Sequence, residues 1–213
     1  MARATVLADD MLNGDAHAAR VQLEAAADDL FAALHAAVTD AEVEAASRLA
    51  VGLARLSEPR DPATTERAVA LALGMIAARR GPSDTERDAE ARVLIARARV
   101  RYLHGDYLAG AIDAERAGEL AASRETRRDA LIVASVIDRD LDEKDRALAR
   151  AEAALALSET PCERATGQLQ VGSALYVLER YDDAHTHYLA TLPARMRARH
   201  IGLLLEAPDA TFG

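Results

Sequence analysis

Histidines, one cysteine and several paired acids are the side chains in this 213-residue sequence with the potential for metal, nucleophilic or acid–base chemistry. The histidines are His17, His35, His104, His185, His187 and His200. His185 and His187 lie two apart on a predicted helix, so their rings point about 200° apart and do not converge on one metal. Cys162 sits at a predicted helix start, where the backbone dipole favours a thiolate. As a small side chain it is expected to tuck against the preceding hairpin, and as a lone cysteine it forms no internal disulfide. Asp9-Asp10, Asp28-Asp29 and Asp182-Asp183 are adjacent acids. A general acid–base pair needs a pocket that drives two pKa values apart, whereas acids on exposed helix faces supply solubility. There is no Gly-rich phosphate loop, nucleophile elbow or His-Glu-x-x-His. The reading is a non-enzyme without cofactor or metal.

The arginines come in two runs, Arg97, Arg99, Arg101 and Arg195, Arg197, Arg199. Spacing of two spreads them around a helix instead of building a basic stripe. A net charge of −9 and a pI near 5.2 speak against binding driven by general phosphate attraction. Lys144 is the one lysine, and the arginine and alanine bias fits a GC-rich bacterial genome. The start, MARATVLADDML, places acids where a signal peptide needs an apolar stretch. No run of about eighteen apolar residues occurs, so a cytoplasmic chain with no membrane partner is expected.

Positioning these side chains falls to helices. About a quarter of the residues are alanine and only 3% are aromatic, which favours helix and disfavours sheet. Thr39 with Glu42 and Ser83 with Glu86 have capping-box spacing, and Thr160-Pro161-Cys162-Glu163 adds proline at the first helical position. Asp61-Pro62 and Gly81-Pro82 mark further boundaries. These signals predict about eleven helices, at 2–12, 15–37, 40–57, 62–80, 84–104, 107–122, 125–141, 144–158, 161–179, 181–191 and 194–206. Connections this short make consecutive helices pack as antiparallel hairpins.

The turns Gly105-Asp106-Tyr107, Asp142-Glu143-Lys144 and Glu179-Arg180-Tyr181 recur every 37 residues. Small or apolar residues follow each: Gly110, Ala114, Ala117, Leu120; Ala147, Ala151, Ala154, Leu157; Ala184, Tyr188, Thr191. With Ala98 before GDYLAGAIDAERAGEL and Gly172 before ALYVLERYDDAHTHYLATLP, the chain resembles the tetratricopeptide repeat family. The resemblance covers 88–193, is weak over the divergent hairpins of 1–80, and has a period longer than the family's usual ~34 residues. It implies one all-α domain over 1–213: a right-handed superhelical stack, or α-solenoid, of antiparallel hairpins.

In that family the first helix of each hairpin lines a concave groove. Carried across, the resemblance assigns Arg92, Ile95, Arg99 and Tyr102; Asp129, Ile132, Val133, Val136 and Arg139; and Leu169, Gln170, Ser173, Tyr176 and Val177. It implies an adaptor or scaffold that binds a protein or peptide with some acidic groups. The Lys and Asn clamp for chaperone C-termini has no counterpart, since Lys144 and Asn13 stand alone. Arg101 and Asp138 stand where the family buries an aromatic, and either pair across repeats or face solvent. The apolar run Ile201, Leu203, Leu204, Leu205 within 194–206 has three uses open to it: capping the stack, filling the groove, or a homodimer contact. A different class of function fits the same repeats, the sensory or regulatory region of a larger bacterial signalling protein such as a diguanylate cyclase or transcriptional regulator.

Overall fold

The computed structural model describes residues 27–57, 62–79 and 81–198. The predicted helix 2–12, residues 15–26 of the predicted helix 15–37, and most of 194–206 lie outside them. The described residues form nine helices and no strand: α1 (Ala27–Thr39), α2 (Val43–Ser57), α3 (Pro62–Ala77), α4 (Asp84–Leu103), α5 (Tyr107–Leu120), α6 (Arg124–Asp140), α7 (Lys144–Ala156), α8 (Pro161–Val177) and α9 (Tyr181–Ala198).

Local chemistry explains the boundaries. Ser83 and Thr160 form complete capping boxes with Glu86 and Glu163, and Pro161 opens α8. Ser123, 37 residues before Thr160, caps α6 through the N–H of Thr126. The turns within the hairpins α4–α5, α6–α7 and α8–α9 share one geometry. Gly105, Asp142 and Glu179 each take a positive φ of 80°, 62° and 61°. The following N–H then closes on a carbonyl five residues back: Asp106 on Arg101, Glu143 on Asp138, Arg180 on Leu175, at 2.8–3.0 Å.

Two boundaries differ from the sequence reading. Thr39 does not cap α2; its hydroxyl donates back to the His35 carbonyl at 2.8 Å, ending α1. The turn there is the same left-handed one, with Ala41 at φ 56° and Glu42 N–H on Ala37 O at 2.8 Å. At the other end, α9 runs on through Pro193 where a break is predicted. Proline carries no backbone N–H, so a helix that passes through it has one donor fewer.

Helices pack in successive pairs, and each touches only its next and next-but-one neighbours along the chain. The next-but-one contacts are α1–α3, α2–α4, α4–α6 and α6–α8. The second helices of the last three hairpins, α5, α7 and α9, do not pack directly on one another; α5 and α7 are joined by the long side chain of Arg150, which reaches Glu115 at 2.9 Å.

The core changes character along the chain. Around α1–α3 it is leucine-rich, with Leu30, Leu34, Leu49 and Leu53 fully buried beside Val69 and Val93. Around α4–α6 it is alanine-rich, holding Ala98, Ala114, Ala117, Ala130 and Ala134 with Ile137. Small residues set the close approach within hairpins. A Cβ on Gly110 would lie 3.1 Å from the Ala98 carbonyl, and one on Gly172 would lie 2.8 Å from the Tyr188 ring. At the matching place in the middle hairpin, Ser135 donates to the Ala147 carbonyl at 2.8 Å.

Candidate functional site

Because α4, α6 and α8 lie side by side, the 37-residue period arranges their side chains in ranks. One rank is Ile95, Ile132, Leu169; the next is Arg99, Val136, Ser173; a third is Tyr102, Arg139, Tyr176. These hold most of the residues that the sequence assigns to the groove, carried on three helices that neighbour one another in space.

Their environments differ. Ile95 is only 9% exposed and belongs to the core around α4–α6. Ile132, Val136 and Leu169 are half-buried, as are Val177 and Gln170, whereas Val133 is buried. The Gln170 Oε1 is buried without a hydrogen-bond partner. Arg92 reaches back to Glu44 on α2 at 2.5 Å. Asp129 is held by Arg128 at 2.7 Å. The Ser173 hydroxyl donates to the Leu169 carbonyl at 2.9 Å and accepts from Tyr188 at 3.4 Å. Arg99 and Tyr102 are both already engaged in contacts.

Tyrosine pairs mark the ends of the third rank. Tyr102 meets Tyr107 with centroids 5.6 Å apart, and Tyr176 meets Tyr181 edge-on at 5.3 Å. Tyr176 is 57% exposed, so a large aromatic face is presented to solvent. Arg139 stands half-buried in register between the two pairs.

Sequence reasoning missed the ionic groups that hold these helices in place. Arg101 and Asp138 neither pair with each other nor face solvent. Asp113 on α5 receives Arg97 at 2.6 and 2.7 Å and Arg101 at 2.8 Å. Asp138, with no exposed surface, accepts a hydrogen bond from Arg146 at 2.7 Å and forms an ion pair without a hydrogen bond to Arg150 at 3.0 Å, both from α7. The available signal was a spacing of twelve residues, Arg101 to Asp113 and Asp138 to Arg150, which joins the two helices of one hairpin.

Joints between hairpins use other carboxylates. Asp88 on α4 accepts the N–H groups of Ala122 and Ser123 at 2.9 and 2.8 Å and the Ser123 and Thr126 hydroxyls at 2.8 Å each. Burial pushes the Asp88 carboxyl up, but these donors outweigh it and hold the pKa below the usual aspartate value. Glu163 on α8 accepts the N–H groups of Glu159 and Thr160 at 2.8 and 3.1 Å, together with the guanidinium groups of Arg124 and Arg128 on α6. Burial again opposes ionisation, and the donors still lower Glu163 to about 2. Arg124 also donates to the Leu157 carbonyl at the end of α7.

The other chemistry-bearing residues are dispersed. Cys162 is exposed, not tucked against the preceding hairpin. His187 contacts Gln168 at 2.5 Å through Nδ1, while His185 is exposed. No group of three His, Cys, Asp or Glu among the described residues is placed to hold a metal. No helix among them is long and apolar enough to cross a membrane.

No protein-family model, curated protein or solved structure matches this chain.

Proposed function

We propose that the chain is a protein-binding adaptor of the tetratricopeptide type, and not an enzyme, with the face of α4, α6 and α8 as its working surface. One observation carries this reading: α4, α6 and α8 pack directly on one another, whereas α5, α7 and α9 stand farther apart, α5 and α7 meeting through the long Arg150–Glu115 bridge at 2.9 Å. Helices that touch on one side and separate on the other belong to a stack that curves toward the touching side. Continued over successive hairpins, that curvature gives a superhelical solenoid with α4, α6 and α8 lining its concave side.

The chemistry of that side supports a peptide ligand. Half-buried Ile132, Val136 and Leu169 offer apolar contact, Tyr176 offers an exposed ring, and Arg139 offers a guanidinium beside them. Tyrosine and arginine dominate binding energy at interfaces because each combines apolar area with directional polar contact. The fitting partner is an extended or amphipathic segment with apolar anchors and a carboxylate that reaches Arg139.

The test compares wild type with an Arg139→Glu, Tyr176→Ala double variant in pull-downs, followed by titration calorimetry with the partner recovered. Both proteins are first matched by circular dichroism melting. Losing two central side chains is expected to weaken binding by about 2 kcal/mol or more, roughly thirtyfold. Equal affinity of the two proteins for the same partner would rule out this face.

A further inference from the structure

The ion pairs inside the hairpins α4–α5 and α6–α7 occupy the same structural positions with their signs exchanged. Arg101 and Asp138 are 37 residues apart, and so are Asp113 and Arg150. In the first hairpin the base lies on the first helix and the acid on the second, with Arg101 Nη1 2.8 Å from Asp113 Oδ2. In the next hairpin the acid lies on the first helix and the base on the second, with Arg150 Nη1 3.0 Å from Asp138 Oδ2. A second arginine reinforces each acid from the helix that bears the base, Arg97 in one case and Arg146 in the other. Both acids are buried, Asp113 at 3% and Asp138 at 0% exposure. At the equivalent positions the third hairpin has Leu175 and His187.

We propose that this reversal is a pairing code that fixes which second helix each first helix accepts. The two hairpins are otherwise close to interchangeable. They share the left-handed turn at Gly105 and Asp142 and the small-residue contacts Ala98–Gly110 and Ser135–Ala147. The buried faces of the second helices α5 and α7 are largely small residues, which offer little shape to tell one partner from another. Pairing α6 with α5 as a hairpin sets Asp138 against Asp113. Pairing α4 with α7 sets Arg97 and Arg101 against Arg146 and Arg150. The first mispairing leaves two buried acids facing one another, the second sets four part-buried arginines together, and every acid loses its base. A buried ion pair adds little net stability compared with an apolar pair, yet breaking one is costly, so its main contribution is discrimination between partners. The code acts within one chain and equally between copies, where exchange of a hairpin element produces a swapped dimer.

The test uses the full chain and follows the thermal midpoint together with mass by light scattering after refolding from denaturant. Asp138→Arg alone places like charges together and is expected to lower the midpoint by about 10 °C. Adding Arg150→Asp restores one opposite-charge pair and recovers part of that loss, although it leaves Arg146 beside the arginine at position 138 and Glu115 without its base. It also gives both hairpins the same polarity. Swapped dimers should then appear on refolding where wild type gives a single monodisperse species. Arg101→Asp with Asp113→Arg reaches uniform polarity by the other route and should behave alike. Combining all four substitutions restores opposite polarity and should restore wild-type homogeneity, although it carries the most changes. Double variants that refold as homogeneously as wild type would overturn the code, as would a quadruple variant more heterogeneous than either double. Failure of both doubles to regain a folded midpoint would also overturn it, because the two pairs would then not be equivalent.

Discussion

Glu163 ties α8 to two other segments, since it ends the loop at Glu159 and Thr160 and receives two arginines from the preceding hairpin. Its side chain is 15% exposed, so the arginines act on a carboxylate largely withdrawn from water. The pKa near 2 in the folded chain lies below the ordinary 4.5, and the sign of the linkage follows. Stability from this group is complete above the unfolded value and is lost as pH falls through the folded one, between about 4.5 and 2. Asp88 shifts in the same direction at the joint before it. Glu163→Gln keeps the size but removes the charge, and is expected to cost about 2 kcal/mol at neutral pH. Urea melts from pH 7 to pH 2 should show the variant and wild type converging as acid is added. A constant gap across that range would mean that the loss is one of packing and not of charge. At this scale the sequence was least legible. The capping role of Glu163 followed from its spacing to Thr160, but its arginines, 35 and 39 residues away on another helix, left no local pattern. The partners of Arg101 and Asp138 did leave one, the shared twelve-residue interval, visible only once the 37-residue period is imposed on charge as well as on turns.

Helices of this composition are positioned by what they lack, and their glycines separate close contact from empty space. A Cβ at Gly167 would lie 2.9 Å from the Leu155 Cα and 2.9 Å from its Cδ1, so α7 and α8 meet there nearly backbone to side chain. Gly118 in α5 has nothing within 4 Å of the same point. Gly167→Ala should therefore destabilise by about 1–3 kcal/mol through forced separation of the helices. Gly118→Ala should stabilise by up to about 1 kcal/mol through helix propensity and a less flexible unfolded chain. Urea denaturation of both variants checks the pair, and a shift of the same sign for both would sink the distinction. Most element boundaries from α3 to α8 were legible to within three residues, because caps and turns are local chemistry. The exceptions have physical causes. Ala41 adopts a left-handed turn without the glycine or aspartate that signals one, so the α1–α2 turn was placed on Thr39 instead. Pro193 is tolerated inside α9, where its presence alone argued for a break.

Contacts confined to near neighbours make stability approximately a sum of local terms, with hairpins and interfaces free to open separately. The core composition sharpens this expectation, since the large buried leucines gather in α1 and α2 while α4–α7 rely on alanine. Removing one leucine should then be felt locally. Leu49 is fully buried in α2, and Leu49→Ala is expected to cost about 2–5 kcal/mol from lost burial and the cavity left behind. Hydrogen exchange followed by mass spectrometry should show faster exchange in α1–α3, a smaller effect in α4 where Val93 adjoins the same core, and none in α8 and α9. A uniform acceleration through α9 would mean that the helices open as one cooperative unit despite their near-neighbour contacts. Exchange confined to α1–α3 would place the face of α4, α6 and α8 on a part of the chain that stays folded while its N-terminal neighbours open. For the adaptor proposed above, a ligand laid across α4, α6 and α8 would tie together hairpins that otherwise open separately. Ligand binding would then raise protection in α4–α9 while leaving α1–α3 unchanged.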